Sequence, residues 1–126
     1  MKLFTKLAFA STIAFAGWAQ ALTIAPYSAE VFVKAQSAGE PVALHFHASW
    51  CPTCRAQAQV LEMLKNEPGL DMTVLVADYY KESQLKKEHK VRVQSVLISF
   101  RGKAEKARQT GGTSPEAIRA VLRAAL

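Results

Sequence analysis

Apolar positions along this chain switch repeatedly between the two-residue repeat of a strand and the three-to-four-residue repeat of a helix. Leu22 to Tyr27 reads as a short strand. Ser28 caps a helix from Ala29 to about Ser37, which Gly39 ends. Glu40-Pro41 restarts the chain in extended form, and Pro41 to Ala48 is a strand with Val42, Leu44 and Phe46 on one face. From Pro52 the repeat turns helical, with Ala56, Val60, Leu61 and Leu64 on one side. Pro52 suits a first helical turn because its missing N–H has no partner there. Asn66-Glu67-Pro68-Gly69 stops that helix. Met72 to Ala77 is rich in β-branched residues and predicts a strand. Glu82 to Lys90 predicts a polar, exposed helix, and Val96 to Phe100 another strand. Arg101-Gly102-Lys103 turns the chain into an edge strand, Ala104 to Gln109, and Gly111-Gly112 breaks it. Thr113 or Ser114 caps a last helix with Pro115 in its first turn and Ile118, Val121, Leu122 and Leu126 facing the core.

The predicted order is β-α-β-α-β-α-β-β-α, with no internal repeat. Strands alternating with helices imply an α/β domain whose central sheet is covered on both faces. A chain of 126 residues, half of them hydrophobic and 21% charged, is one globular domain.

The start of the chain has a different organisation. Lys2 and Lys6 precede an apolar stretch, Leu7 to Ala19, and Ala19-Gln20-Ala21 is a small-x-small cleavage signal. This is the layout of a secretory signal peptide over residues 1–21, leaving a mature domain over 22–126. A buried N-terminal helix or a short membrane anchor is the competing reading. The formal charge is +6, and +4 once Lys2 and Lys6 are removed. The densest basic stretch, Lys81 to Arg92, includes Lys86, Lys87 and Lys90, with Glu82 and Glu88 interspersed. It lacks the patterns of RNA- or DNA-binding modules and reads as a solvated helix face, so nucleic acid is not expected as a partner.

Two cysteines in this length allow one bridge, one redox pair or one partial metal site. They form Cys51-Pro52-Thr53-Cys54, at the junction where a strand ends and a helix begins. Free N–H groups and the helix dipole stabilise negative charge at that place. A thiolate is favoured at Cys51, and the thiolate is the reactive species. Cys54 is almost one turn on, on the same side, where it can displace a mixed disulfide formed at Cys51. A structural bridge over two intervening residues closes too small a loop to stabilise much. A zinc or copper site using both cysteines with His45 or His47 is the stronger competitor. A zinc ribbon would need a second such cysteine pair, and there is none.

The segment His45-Phe46-His47-Ala48-Ser49-Trp50-Cys51-Pro52-Thr53-Cys54 resembles the active-site segment of thioredoxin-like thiol-disulfide oxidoreductases. The resemblance extends over most of residues 24–126, with Gly102 and Gly111-Gly112 where that family has glycine turns. It implies a thioredoxin-like fold with a central mixed sheet of four to five strands flanked by helices on both faces. It also implies Cys51 as nucleophile, Cys54 as resolving cysteine, no cofactor beyond the Cys51–Cys54 disulfide, and no metal. Trp50, Pro52, Thr53, Gln94 and Ser95 are the implied substrate-groove residues, plain packing being the alternative for Trp50. Three positions depart from the family pattern. His45 stands where the family has a buried aspartate, and Val76 where that aspartate's lysine partner would be. His45 then either takes part of the proton transfer for Cys54 or is a hydrogen-bonded core histidine. His47 replaces a tryptophan and reads as a polar residue on the groove side. Ser95 occupies the usual cis-proline position. A cis peptide before serine costs ~3 kcal/mol, so Ser95 is expected to be trans or strained. Gln59 replaces a mid-helix proline, which predicts a straighter helix.

The leading functional expectation is an exported, periplasmic, monomeric oxidoreductase that exchanges disulfides with protein clients. It leans towards reduction, since no inserted helical lid is apparent, and a membrane or periplasmic redox partner would then recharge it. The alternatives are a thiol-based metal-binding or metal-delivery protein on the same fold and a binding module with a vestigial cysteine pair.

Overall fold

The computed structural model describes residues 21–126. The expected leader, 1–21, lies outside the described residues except for Ala21. In chain order the elements are β1 (Thr23–Pro26), α1 (Ala29–Ser37), β2 (Pro41–His47), α2 (Pro52–Leu64), β3 (Thr73–Asp78), α3 (Ser83–Glu88), β4 (Val96–Arg101), β5 (Ala104–Thr110) and α4 (Pro115–Arg123). None of these helices is long and apolar enough to cross a membrane.

Helix starts follow from local chemistry. The Ser28 hydroxyl accepts from the Val31 amide and the Ser114 hydroxyl from the Ala117 amide, each supplying a partner for an otherwise free first-turn N–H. Pro115 holds the first turn of α4, as Pro52 does for α2. Helix α3 is shorter than its polar stretch predicts. It ends at Glu88, and Lys90 turns the backbone into the left-handed region, φ 55°.

The sheet order is β1-β3-β2-β4-β5. β1 and β2 run parallel to β3, while β4 pairs antiparallel with both β2 and β5, so the sheet is mixed. β2 is the middle strand, and its residues Val42 to Phe46 are all buried because both faces carry helices. On one face Val42, Leu44, Phe46, Ile98 and Phe100 pack with Phe32 of α1 and Leu85 of α3. On the other, Ala43, Val74 and Leu97 pack with Leu61 and Leu64 of α2 and Ile118 and Leu122 of α4. His45 points to this second face, beneath α2. β5 is an edge strand, largely exposed. At the β4–β5 turn Gly102 has φ +58°, and an added Cβ would lie 3.3 Å from the Gln36 carbonyl oxygen, so both conformation and space favour glycine.

One expected core position is corrected. Leu126 is 47% exposed, and Ala125 is buried instead. Ile118, Val121, Leu122 and Ala125 follow the i, i+3, i+4, i+7 spacing of a single helix stripe. Leu126 lies one residue past that stripe. Ile118→Ala should therefore cost ~3 kcal/mol in urea unfolding, as for a fully buried aliphatic side chain, whereas Leu126→Ala should stay within ~0.5 kcal/mol.

Candidate active site

The carboxyl end of β2 and the amino end of α2 are joined by Ala48, Ser49 and Trp50 in a turn closed by the Cys51 amide donating to the Ala48 carbonyl, 3.1 Å. Cys51 is the N-cap of α2, with extended backbone angles. Its sulfur accepts from the Cys54 amide at 3.1 Å, the contact a serine or aspartate oxygen makes at an ordinary cap. Both cysteines are free thiols. Cys51 is 4% exposed and Cys54 wholly buried, in a small cluster with Ala48 against which Tyr79 packs.

The two thiols titrate in opposite directions. Burial pushes the Cys51 thiol up, but hydrogen bonds from the Cys54 thiol and from the Cys54 and Thr53 amides outweigh it, so its pKa lies below the ordinary thiol value. For Cys54, burial again acts upward and is reinforced by the hydrogen bond with Cys51 and by its charge. The backbone groups of Ala48 and Ser95 offset only part, and the pKa is raised. Of the two sulfurs, Cys51 ionises the more readily and Cys54 holds its proton the more firmly.

Ser95 faces this pair from the loop before β4. Its peptide bond is trans, like every peptide bond among the described residues, and its φ is 60°. A serine in the left-handed region costs about 1 kcal/mol or more and persists only where neighbours fix it. Four hydrogen bonds do so. The Ser95 amide donates to the Phe46 carbonyl at 2.9 Å, and its hydroxyl donates to the Gln94 carbonyl at 2.6 Å. Its carbonyl accepts from the Gly111 amide at 2.9 Å and from the side chain of Gln57 at 3.0 Å.

Gln57 is the buried residue that the pattern of apolar positions misses. Its Nε2 donates to the carbonyls of Ser95 and Gly112, each at 3.0 Å, and its Oε1 lies 2.9 Å from His45 Nε2. With the amide nitrogen committed to two carbonyls, the oxygen faces His45, which fixes the proton on Nε2 of the imidazole. Its Nδ1 is then a buried acceptor without a protein partner, as is Nδ1 of His47, whose ring stands edge-on 5.5 Å away. Burial lowers the His45 pKa to about 4, against the Gln57 hydrogen bond and with help from His47. His45 is therefore neutral near pH 7. Val76 is its register partner on β3, so no charged group faces it from that strand. The signal for Gln57 was its spacing: Cys54, Gln57, Leu61 and Leu64 form one stripe along α2.

The structure thus brings Cys51, Cys54, Thr53 and Ser95 together, and ties His45 to Ser95 through Gln57. Trp50 stands at the rim, 57% exposed, its ring centroid 6.5 Å from that of Tyr80. Pro52 is exposed, Gln94 is half-buried, and Gln94 enters the network through its carbonyl. Tyr79 was also missed by the sequence reading. It packs on the cysteine cluster, donates its hydroxyl to the Arg92 carbonyl at 2.8 Å, and carries Lys86 Nζ 3.7 Å above its ring. Among the described residues no group of three His, Cys, Asp or Glu side chains is placed to hold a metal ion.

The family model for thioredoxin matches residues 22–124. The crystal structure of Trxlp from Edwardsiella tarda superposes with a TM-score of 0.74 at 34% identity, covering 79% of this chain and 98% of that one. Oxidised thioredoxin O2 from Arabidopsis thaliana shares the fold, with a TM-score of 0.66 at 24% identity over 82% of this chain and 93% of that one. A bifunctional thioredoxin reductase/thioredoxin from Mycobacterium leprae is 29% identical over 97 residues, 77% of this chain. The chain spans about a fifth of that relative's length, 21%.

His45 also generates a pH dependence of stability. Its folded pKa, about 4, is below the unfolded value of 6.5, so the unfolded chain takes up the proton first. The contribution is complete above pH 6.5 and is lost as pH falls towards 4, by about 3 kcal/mol in all. His45→Gln keeps a hydrogen-bonding amide opposite Gln57 and removes the titration. Denaturant unfolding of wild type should weaken over that window by about 3 kcal/mol more than unfolding of the variant.

Proposed function

Because the chain belongs to the thioredoxin family, whose members are thiol-disulfide oxidoreductases, we propose that it exchanges disulfides with protein clients through Cys51 and Cys54. The observation that carries this is the opposed titration of the two thiols around one helix N-terminus. The Cys51 thiolate attacks one sulfur of a client disulfide. A Cys51–client bond forms, the client S–S bond breaks, and the second client sulfur leaves as a thiolate that takes up a proton. Cys54 then gives up its proton and attacks the Cys51 sulfur, closing Cys51–Cys54 and releasing the first client sulfur as a thiol. Two electrons pass from the protein to the client; Cys54 supplies one proton and solvent the other, which equals the proton Cys51 lost on ionising. Exclusion of water from Cys54 keeps it protonated until the mixed disulfide removes the negative charge beside it.

The groove roles of Trp50, Pro52, Thr53, Gln94 and Ser95 belong to the same proposal. Ser95 shapes the loop that faces Cys51, and Trp50 offers exposed apolar surface beside it. The role assigned to His45 is to anchor Gln57, and so the Ser95 loop. With its pKa near 4 it is a weak base for Cys54. The composition of residues 1–21 supports export and a periplasmic location. The direct passage from α2 to β3, without an inserted helical unit, supports the lean towards reduction. A reductant in that compartment requires a membrane or periplasmic partner that returns two electrons to the Cys51–Cys54 disulfide.

Cys51→Ser should abolish dithiothreitol-driven insulin reduction, and Cys54→Ser should accumulate a covalent client adduct that runs free only on reducing gels. Insulin turnover by Cys51→Ser at the wild-type rate would end the proposal. Thiolate absorbance should show Cys51 ionising below the ordinary value of about 8.5. A Cys51–Cys54 potential near about −270 mV would establish a reductant, and one near about −120 mV an oxidant.

A further inference from the structure

Helix α3 and the loop that follows it sort charge by side. Ser83, Lys86, Lys87, Lys90, Val91 and Arg92 line an open groove of about 460 Å³. The acidic residues of the same stretch, Glu82 and Glu88, line a different depression beside Tyr27 and Phe32, where burial and, after it, their charges raise the Tyr27 pKa. A run that reads in sequence as a mixed, solvated face is therefore segregated in space. None of Lys86, Lys87, Lys90 and Arg92 is ion-paired with a carboxylate among the described residues, whose ion pairs involve Glu62, Glu67 and Glu105 instead. Four cations line one concavity that no carboxylate lines.

That concavity shares a wall with the redox pair. Tyr79 packs on the Ala48, Cys51 and Cys54 cluster with part of its surface, while Lys86 sits over its ring and its hydroxyl holds the Arg92 carbonyl. Arg92 in turn begins the short segment that ends at Ser95, opposite Cys51. Exposed apolar side chains adjoin both features: Trp50, next to Cys51, has its ring near that of Tyr80, Tyr80 stands edge-on to Tyr79, and Val93 follows Arg92. A client segment bound at Cys51 would have these apolar side chains and, across Tyr79, the cationic groove as its neighbours.

We propose that this groove docks an acidic segment of the protein client whose disulfide reacts at Cys51, so that clients are selected by carboxylates flanking their cysteines. This rests on the oxidoreductase reading above and names its substrate class. Charge complementarity selects the occupant, because a concavity lined by four cations and no carboxylate attracts and orients an anionic chain and raises its rate of encounter. The docking step involves no bond change, and the exchange that follows is the one already balanced.

The test uses two disulfide-looped peptides that differ only in their flanks, Asp/Glu-rich in one and Ser/Gln-rich in the other, with the full wild-type domain. At low salt kcat/KM should favour the acidic peptide by about tenfold, the lower end of the range for electrostatic steering. The double variant Lys87→Gln/Lys90→Gln should bring that ratio towards one. Raising ionic strength from about 0.01 M to about 1 M should do the same, since the Debye length falls from about 30 Å to about 3 Å. Equal turnover of the two peptides by wild type, or a preference that survives in the double variant, overturns the proposal. Saturable binding of inorganic phosphate to wild type, lost in the double variant and without any peptide preference, replaces it with a small-anion site. Uncharged 2-hydroxyethyl disulfide separates the two levels. If wild type fails to reduce it, the oxidoreductase reading falls and the groove's client with it; if wild type reduces it but shows no peptide preference, only the groove is refuted.

Discussion

The buried amide of Gln57 is the interaction on which the site's geometry depends. One side chain joins α2 to the middle of β2 through His45, to the loop before β4 through Ser95, and to the segment before α4 through Gly112. Inside a protein such a group is costly unless every polar atom is matched, and Gln57 matches its oxygen and both amide hydrogens. The linkage resists separation of the helix carrying the cysteines from the loop opposite them. It also offsets the strain of Ser95, whose left-handed backbone is held by the bond from Gln57 to its carbonyl.

Around that anchor, the two sulfurs differ because their surroundings differ in kind. Cys51 lies where the first amides of α2 have no carbonyl to bind, so an anion there gains hydrogen bonds without needing a cation nearby. Cys54 is one turn further in, against Tyr79 and away from water, and a second negative charge beside the first is disfavoured. A departure from the usual acid–base arrangement under the cysteines, His45 opposite Val76 in place of a charged pair, leaves this asymmetry intact. It exchanges a titrating carboxylate for an imidazole that is uncharged near neutrality.

Much of the fold was legible because its signals are local. Ser28 and Ser114 cap where the polar pattern placed them, prolines open α2 and α4, and the apolar run of β2 is continuous because both its faces are covered. Cys51 and Cys54 were legible for the same reason, through spacing and position at a strand–helix junction. What was not legible depends on distant parts of the chain. Gln57 looks like a solvent residue until three remote partners surround it. Nothing in a serine announces a positive φ, and Ser95 adopts one only because Phe46, Gly111 and Gln57 hold its peptide groups. Leu126 was misplaced because hydrophobicity alone does not register where a helix stripe ends. The placing of Lys86, Lys87 and Lys90 in one depression and of Glu82 and Glu88 in another likewise depends on how the helix seats on the sheet.

The exposed strand at one margin of the sheet has a consequence for how copies of the chain meet. β5 presents Glu105, Lys106 and Arg108 along a border whose outer amides and carbonyls are open to pairing. A second chain adding itself there would have to bring its own charges alongside these, which disfavours edge-to-edge growth. At the opposite margin β1 is only four residues long and finishes in Pro26, which lacks the N–H a neighbouring strand would need. Neither border is a good template for β-augmentation, so the open sheet guards itself against polymerising at both ends.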